Sequence, residues 1–547
     1  MTALLTDNLP LLAGAPNGIK KLRELILELA VRGKLVPQDP SDEPASELLK
    51  RIAEEKARLL VEGKIKKQKP LADISEDEKP FELPVGWQWV RLGEIAEIIR
   101  GVTYGKSDAS DSPLPGYAPL LRGNNINRVL NFDRPVFVPQ KLISDHQYIQ
   151  TGDIVIAMSS GSADLVGKAA QAETNFDGAF GAFCGVVRSR TSALFLFFGF
   201  FFQTPLYRVR AAGHGKGIGI NNLQKSVLET LEVPLPPLAE QHRIVTKVDE
   251  LMALCDRLEA QQADAESAHA QLVQALLNSL TQASDATDFS TNWQRLAEHF
   301  HTLFTTEPSI DALKQTLLQL AVMGKLVPQD PRDEPVESLL QRRGIKSKPH
   351  ALQGWGAAPL GQLGEILGGS TPSKANAEFW NGDIPWVSPK DMKRPVIHDS
   401  EDHISAKALA ETSLKAVPAK SLLMVVRGMI LVHSFPVALT AREVTINQDM
   451  KALVPPEEIS AYLHMYLQAT KAVMVGLVDR SSHGTCKLIS EKLWSHIVCL
   501  PPLPEQHRIV AKVDQLLGLC DQLKTRLTQA RQLNEQLAST LVEQAVA

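Results

Sequence analysis

Pro236-Pro237-Leu238-Ala239-Glu240-Gln241-His242-Arg243-Ile244-Val245 returns as Pro501-Pro502-Leu503-Pro504-Glu505-Gln506-His507-Arg508-Ile509-Val510, displaced by 265 residues. The copies continue in step, as TKVDELMALCDRLEA and AKVDQLLGLCDQLKT. A period this long is the duplication of a whole module. The paired prolines end an extended apolar segment and preset the first helical turn, where a missing N–H costs nothing. Glu240 and Glu505 fall in that turn, at the positive end of the helix dipole.

Each copy then reads as a long helix with an apolar seam. The seam runs Ile244, Val248, Leu251, Cys255, Leu258, Gln262, Ala265, His269, Leu272, Leu276 in the first copy, and Ile509, Val513, Leu516, Cys520, Leu523, Leu527, Ala530, Asn534, Leu537, Leu541 in the second. Steps of four and three residues are the spacing of a coiled-coil stripe. His269 and Asn534 share one repeat position, either as a polar register device or as a part-exposed site.

A second duplication lies upstream of the first. Ile19 to Val31 reads as an amphipathic helix ending at Gly33, followed by GKLVPQDPSDEPASELL; Ala321 to Leu340 reads AVMGKLVPQDPRDEPVESLL, displaced by 291. The first half therefore carries extra residues, most of them in the charged stretch between Leu49 and Gly86. That stretch reads as a helix and then a solvated linker. Pro84-Val85-Gly86-Trp87 and Leu352-Gln353-Gly354-Trp355 open two regions with short β-rich runs, an apolar helical segment and a Gly- or Ser-rich loop. Their landmarks agree and their sequences barely match. The expected divisions are an N-terminal helical arm and linker (1–83), a variable domain (84–237), a central helical arm (238–350), a second variable domain (351–502) and a C-terminal arm (503–547).

With 547 residues the chain has ample core for several domains. A net charge of −4 gives no global basic footprint, so any nucleic-acid binding must rest on local clusters. Five cysteines form no CxxC pair, which supports neither a disulfide framework nor a zinc site. The apolar run Ala193 to Phe202 is too short to span a bilayer, and a soluble cytoplasmic protein is expected.

Catalytic signatures are missing. Gly101-Val102-Thr103-Tyr104-Gly105-Lys106-Ser107 is one residue short of a phosphate loop, and Gly213 to Gly219 lacks GxGxxG spacing. There is no HExxH, and no Asn- or Asp-Pro-Pro-aromatic tetrapeptide for methylating an exocyclic amine. The variable domains do hold side chains that read base edges or grip phosphates. In the first these are Arg122, Asn124, Asn125, Ser160, Lys168, Lys216, Asn221 and Asn222. In the second they are Lys374, Ser388, Lys390, Arg427, Asn447, Gln448, His483 and Lys487. Arg pairs with guanine and Asn or Gln with adenine in the major groove, while Lys and Ser mostly hold phosphates. Asn and Ser also fill ordinary loops, so both readings stand for each residue.

Two variable domains, each closed by LPPLxEQHRIVxKVD and a long helix, together with the AVxGKLVPQDP segments, resemble the specificity subunit of type I restriction-modification systems across essentially the whole chain. The resemblance implies an α+β fold: two target-recognition domains of mixed α/β character, held apart by two long antiparallel coiled-coil helices in a pseudo-two-fold, circular repeat. It implies that each domain binds one half of a split, asymmetric site on double-stranded DNA, that the arms set the spacing, and that the chain itself is not an enzyme. It implies two modification subunits, which use S-adenosylmethionine to methylate adenine N6, and restriction subunits, which use ATP and Mg2+; no cofactor or metal is expected on this chain. The competing readings are a protein-only scaffold and a specificity subunit serving a methyltransferase without restriction. The simplest closed arrangement pairs the N-terminal arm with the C-terminal helix.

Overall fold

The computed structural model describes residues 11–63, 70–127, 129–162, 165–213, 221–480 and 486–546. It divides into two compact units, Met1–Asp264 with Ala530–Ala547, and Ala265–Gln529. The division falls inside the two long helices, Leu238–Thr281 and Leu503–Val546, each 44 residues. A C-terminal segment thus belongs to the unit that contains the N-terminus, as circular closure requires.

In the first unit, helix Gly18–Val31 forms because Leu22, Leu25, Ile26 and Leu29 recur on one side, and all four are buried. It stops where Gly33 takes φ +66. A Cβ there would meet the rings of Pro84 and Trp87, so only glycine lets the chain turn back against them. Leu25 and Leu29 pack with Ala545, and Ala538 lies in the main core of this unit. Lys21 Nζ donates to Ser539 Oγ at 2.6 Å, and Arg23 pairs with Asp256 at 2.6 Å and Glu259 at 2.7 Å.

The variable region of this unit is closed by its own ends. Gln88–Arg91 pairs antiparallel with Glu232–Leu235. Between them an antiparallel sheet runs in the order Ala96–Arg100, Cys184–Ser189, Ile154–Ala157, Ala169–Gln171. A smaller sheet places Tyr117–Leu121 between Val136–Pro139 and the parallel strand Ala179–Phe180. Most of the run Ala193 to Phe202 becomes a short helix, Phe195–Phe201, capped by Phe202; the buried Phe202 ring meets Phe198, Phe201 and Tyr207 edge-on.

The second unit repeats the plan. Gly356–Pro359 pairs with Ile497–Leu500. The main sheet runs Glu365–Gly368, Met450–Val454, Leu422–Val425, Val437–Thr440, with Val396–Ile397 added in parallel at the edge. Trp380–Val387 lies between Asp402–Ile404 and the parallel strand Thr445–Ile446. Lys314 pairs with Asp521, the repeat counterpart of Arg23 with Asp256.

The duplicated motifs hold each other. In the first unit Trp87 Nε1 donates to Glu240 Oε2 at 2.9 Å, Gln38 Nε2 to Glu240 Oε1 at 2.7 Å, and Arg243 pairs with Asp42 at 2.6 Å. In the second, Trp355 Nε1 donates to Glu505 Oε2 at 3.2 Å and Arg508 pairs with Asp333 at 2.7 Å. Gln241 and Gln506 each donate to the carbonyl of the first proline of their Pro-Pro pair, both at 2.9 Å. The EQHR tetrapeptide is therefore the half of a clasp whose other half is the QDPxDEP segment and the Gly-Trp pair. Burial pushes the Glu240 and Glu505 carboxyls up, against the pull of the indole donors.

The seam departs from the expected register. Ile244, Val248 and Cys255 are buried, but Leu272 is 53% exposed and Val273, Leu277 and Leu280 are buried instead. The second helix makes the same one-residue shift: Ile509, Val513 and Cys520 are buried, Leu537 is 45% exposed, and Ala538 is buried. An undistorted helix of 3.6 residues per turn drifts about 20° per heptad from a 3.5 repeat. Over four heptads that approaches the ~100° between neighbouring residues. The middle of both helices, 259–268 and 528–534, is exposed. Asn534 is therefore not a buried register device, while His269 places Nε2 3.2 Å from the Thr302 carbonyl.

Candidate nucleic-acid interface

Both variable domains build one platform from the same backbone parts. In the first, strand Tyr117–Leu121 runs into a tight turn, Gly123–Asn125, in which the Arg122 N–H donates to Asn125 Oδ1 at 2.9 Å. In the second, strand Trp380–Val387 runs into the turn Pro389–Asp391, in which the Ser388 N–H donates to Asp391 Oδ2 at 2.8 Å. Arg122 and Ser388 therefore occupy one structural position, Asn124 and Lys390 the next but one, and Asn125 and Asp391 the anchor. The anchors also hold the chain that follows. Asn125 Nδ2 donates to the carbonyls of Asn131 at 3.0 Å and Asp133 at 2.8 Å, while Asp391 Oδ1 accepts the Glu401 N–H at 2.9 Å.

Three further segments meet this turn. Gly181 N–H donates to the Leu121 carbonyl at 2.8 Å, and Asn447 N–H to the Val387 carbonyl at 3.0 Å. Against these lie Gly101 and Gly369, packed so closely that a Cβ would fall 2.1 Å from the Gly181 carbonyl oxygen and 1.8 Å from that of Asn447. The loop after the central strand is held in the same way: Met158 and Ser159 N–H groups donate to Phe183 O, and Val426 and Arg427 N–H groups to Asp449 O. The closing ribbon joins last, with Ser159–Ser160 paired to Asn221–Asn222, and Arg427 bridged to Lys487.

The candidate readers divide by environment. Arg122, Asn124, Asn222, Lys390, Arg427, Gln448 and Lys487 are exposed on these segments, and Lys374 is exposed on the loop that follows Gly369. Ser160 and Lys168 are half-buried, and Lys168 Nζ donates to Asn127 Oδ1 at 3.0 Å, tying two loops of the first domain together. Asn125, Ser388 and Asn447 are buried. The Asn125 amide is engaged within its own loop, the Ser388 hydroxyl donates to Asp391 at 3.0 Å, and Asn447 Oδ1 accepts the Asp449 N–H at 3.1 Å. These three shape the platform from inside. Lys216 and His483 lie outside the described residues, as does the side chain of Asn221.

Two cations of the second platform, Lys390 and Arg427, are paired with carboxylates of their own domain. Lys390 Nζ lies 2.9 Å from Glu401 and 3.0 Å from Asp402, and these carboxylates hold its ammonium well above the ordinary lysine range. Arg427 Nη1 is 3.8 Å from Asp449 Oδ1, and Thr371 donates to Gln448. Positions that sequence reading passed over are Asp391 and Asp449, the close-approach Gly369, and Phe183, which is 68% exposed beside the Ser159–Ser160 segment of the first platform; Gly101, read as one end of an imperfect phosphate loop, is instead the close-approach glycine of the first domain. The signal for Phe183 was its place: it stands in the turn between two strand segments, three residues after the buried Phe180. Among the described residues no group of three or more His, Cys, Asp or Glu is placed to hold a metal ion. No helix there is long and apolar enough to cross a membrane.

A platform built twice on one backbone plan, with different side chains on each copy, defines a paired recognition protein. Residues 84–266 and 353–532 each match the type I restriction modification DNA specificity domain. The chain is 35% identical to the type I restriction enzyme EcoAI specificity subunit of Escherichia coli, over 97% of this chain and 94% of that one. It is likewise 35% identical to the EcoEI specificity subunit of Escherichia coli, with the same coverage. A solved chain from work on complex assembly and conformational transition of the type I R-M system covers 85% of this chain and 99% of its own length, at 19% identity and a TM-score of 0.50, a likeness of fold. The chain belongs to the type I restriction-modification specificity subunit family.

Proposed function

We propose that this chain is the sequence-specific DNA-binding subunit of a type I restriction-modification complex and catalyses no reaction itself. Each variable domain reads one half of a bipartite, asymmetric duplex site through its platform. Arg122, Asn124 and Asn222 on the first, and Arg427, Gln448 and Lys487 on the second, supply the exposed donors and acceptors for base edges and phosphates. The observation that carries this reading is the match of both domains to the DNA specificity family, combined with unlike side chains on like backbones.

The partners proposed are two modification subunits, bringing S-adenosylmethionine, and restriction subunits, bringing ATP and Mg2+. The outward side of the clasp supports a doubled partner. His242 and Asp249 recur as His507 and Asp514, all exposed, so each unit presents the same residues for one copy of the same subunit. The arm helices, roughly 66 Å each at 1.5 Å per residue, set the gap between half-sites.

Methylome sequencing of the host with and without this chain tests the reading. A bipartite adenine-methylated motif should be present with the chain and vanish on its deletion, while the modification subunit is still expressed. Persistence of every adenine motif after deletion would refute it.

A further inference from the structure

Phe183 is a large ring with 68% of its surface exposed, in a domain where Phe180, Phe197, Phe198 and Phe201 are fully buried. Its backbone is not loose. The Phe183 carbonyl accepts the N–H groups of Met158 at 2.8 Å and Ser159 at 3.1 Å, and the next residue's N–H, Cys184, closes a turn onto the Gly181 carbonyl at 2.8 Å. The ring is thus presented from a fixed base. The segment its carbonyl holds runs into polar residues: the Ser159 hydroxyl donates to Asn222 Oδ1 at 2.7 Å, and Ser159–Ser160 pairs with Asn221–Asn222. The equivalent backbone position in the second domain is Asp449, whose carbonyl accepts Val426 N–H at 2.9 Å and Arg427 N–H at 3.2 Å. There the side chain is a carboxylate turned to Arg427. One position on the shared platform is apolar in one domain and acidic in the other.

Resting on the reading of these platforms as duplex readers, we propose that Phe183 is a specificity residue of the first domain, lying against the C5-methyl group of a thymine in the major groove. The chemistry selects the ligand. Every base edge in the major groove presents hydrogen-bond donors or acceptors, and the thymine methyl is its one apolar feature. On such an edge an exposed ring gains by apolar burial against that group alone. Asp449 cannot make the contact, so the second half-site does not share this determinant.

The test uses the full chain assembled with its modification subunits, and a duplex carrying the motif found by methylome sequencing. Each thymine of the first domain's half-site, on either strand, is replaced singly by deoxyuridine, which removes only the methyl group. One such replacement should weaken binding by the native complex about three- to fivefold, the worth of burying one methyl. The Phe183→Ala complex should bind thymine and deoxyuridine duplexes equally at that position and still discriminate at the second half-site. Its thermal unfolding should match the native chain, because the ring is exposed. The proposal is overturned if no thymine in that half-site responds, or if Phe183→Ala lowers affinity but keeps the thymine preference. Failure of the native complex to prefer the motif over random duplex would instead sink the reading of the platforms on which the proposal rests.

Discussion

Gly369→Ala is expected to collapse the reading platform of the second domain. The added Cβ would sit 1.8 Å from the Asn447 carbonyl oxygen and 2.5 Å from that of Ile446. These are backbone atoms of a strand that cannot swing aside as a side chain tip would. Ile446 is held in register with Val387, and its carbonyl accepts the Ser370 N–H at 3.0 Å. Relief therefore requires breaking the parallel pair or the strand end Glu365–Gly368, at a cost on the order of 3 kcal/mol. Limited proteolysis should open residues 353–500 while residues 84–237 stay resistant, and methylation at the bipartite site should fall to background. Gly518→Ala is the control. Nothing lies within 4 Å of its added Cβ, and it sits inside a helix, so it should stabilise by about 0.5–1 kcal/mol. Native proteolysis and methylation by Gly369→Ala would contradict the platform described above.

Ending the chain after Gln529 should unseat the N-terminal arm, at the other extreme of the sequence. The deletion uncovers Leu25 and Leu29, each 1% exposed and packed with Ala545. It also removes Ser539, the partner of Lys21. A buried leucine contributes about 1.5–3 kcal/mol, so the two together are worth roughly 3–6 kcal/mol. That is a large fraction of the roughly 5–15 kcal/mol of a typical domain. Amide exchange over Gly18–Val31 should accelerate by two or more orders of magnitude. The full-length variant Ala538→Asp, which puts an unpaired carboxylate at a position with no exposure, should do the same. Unchanged exchange over Gly18–Val31 in both would contradict the circular closure.

What the sequence makes legible here follows from what duplication preserves. Repeating EQHR and QDPxDEP marks the arms and the boundaries of the domains between them, because a motif kept in two copies stands out without any knowledge of contacts. Why it is kept is not legible, since Asp42 and Arg243 meet across 201 residues. The seam was readable for its first heptads and then slipped to Val273 and Ala538, because letter spacing does not reveal whether a helix is wound to 3.5 or 3.6 residues per turn. The interface is harder for a physical reason. An asparagine that caps a turn and one that reads a base are the same letter, so Asn125 and Asn124 looked alike until burial separated them. Phe183 shows the converse: the letter does not say whether an aromatic residue is core or surface, and only its turn position separates it from the buried Phe180. Gly369 carries no distinguishing neighbours, and those of Gly101 suggest an imperfect phosphate loop; only the approach of a distant segment gives either glycine its meaning.

Exchange of residues 353–500 for the corresponding region of the EcoAI specificity subunit is the most direct measurement of the central claim, that each domain reads one half-site by itself. The cut points are set by the strand pair Gly356–Pro359 with Ile497–Leu500, which closes the domain on its own ends and leaves the clasp at Glu505 and Arg508 untouched. Methylome sequencing of cells carrying the exchanged chain should show a motif with one half-site altered, the other half-site unchanged and the same gap between them. A motif altered in both halves, or in neither, would contradict it.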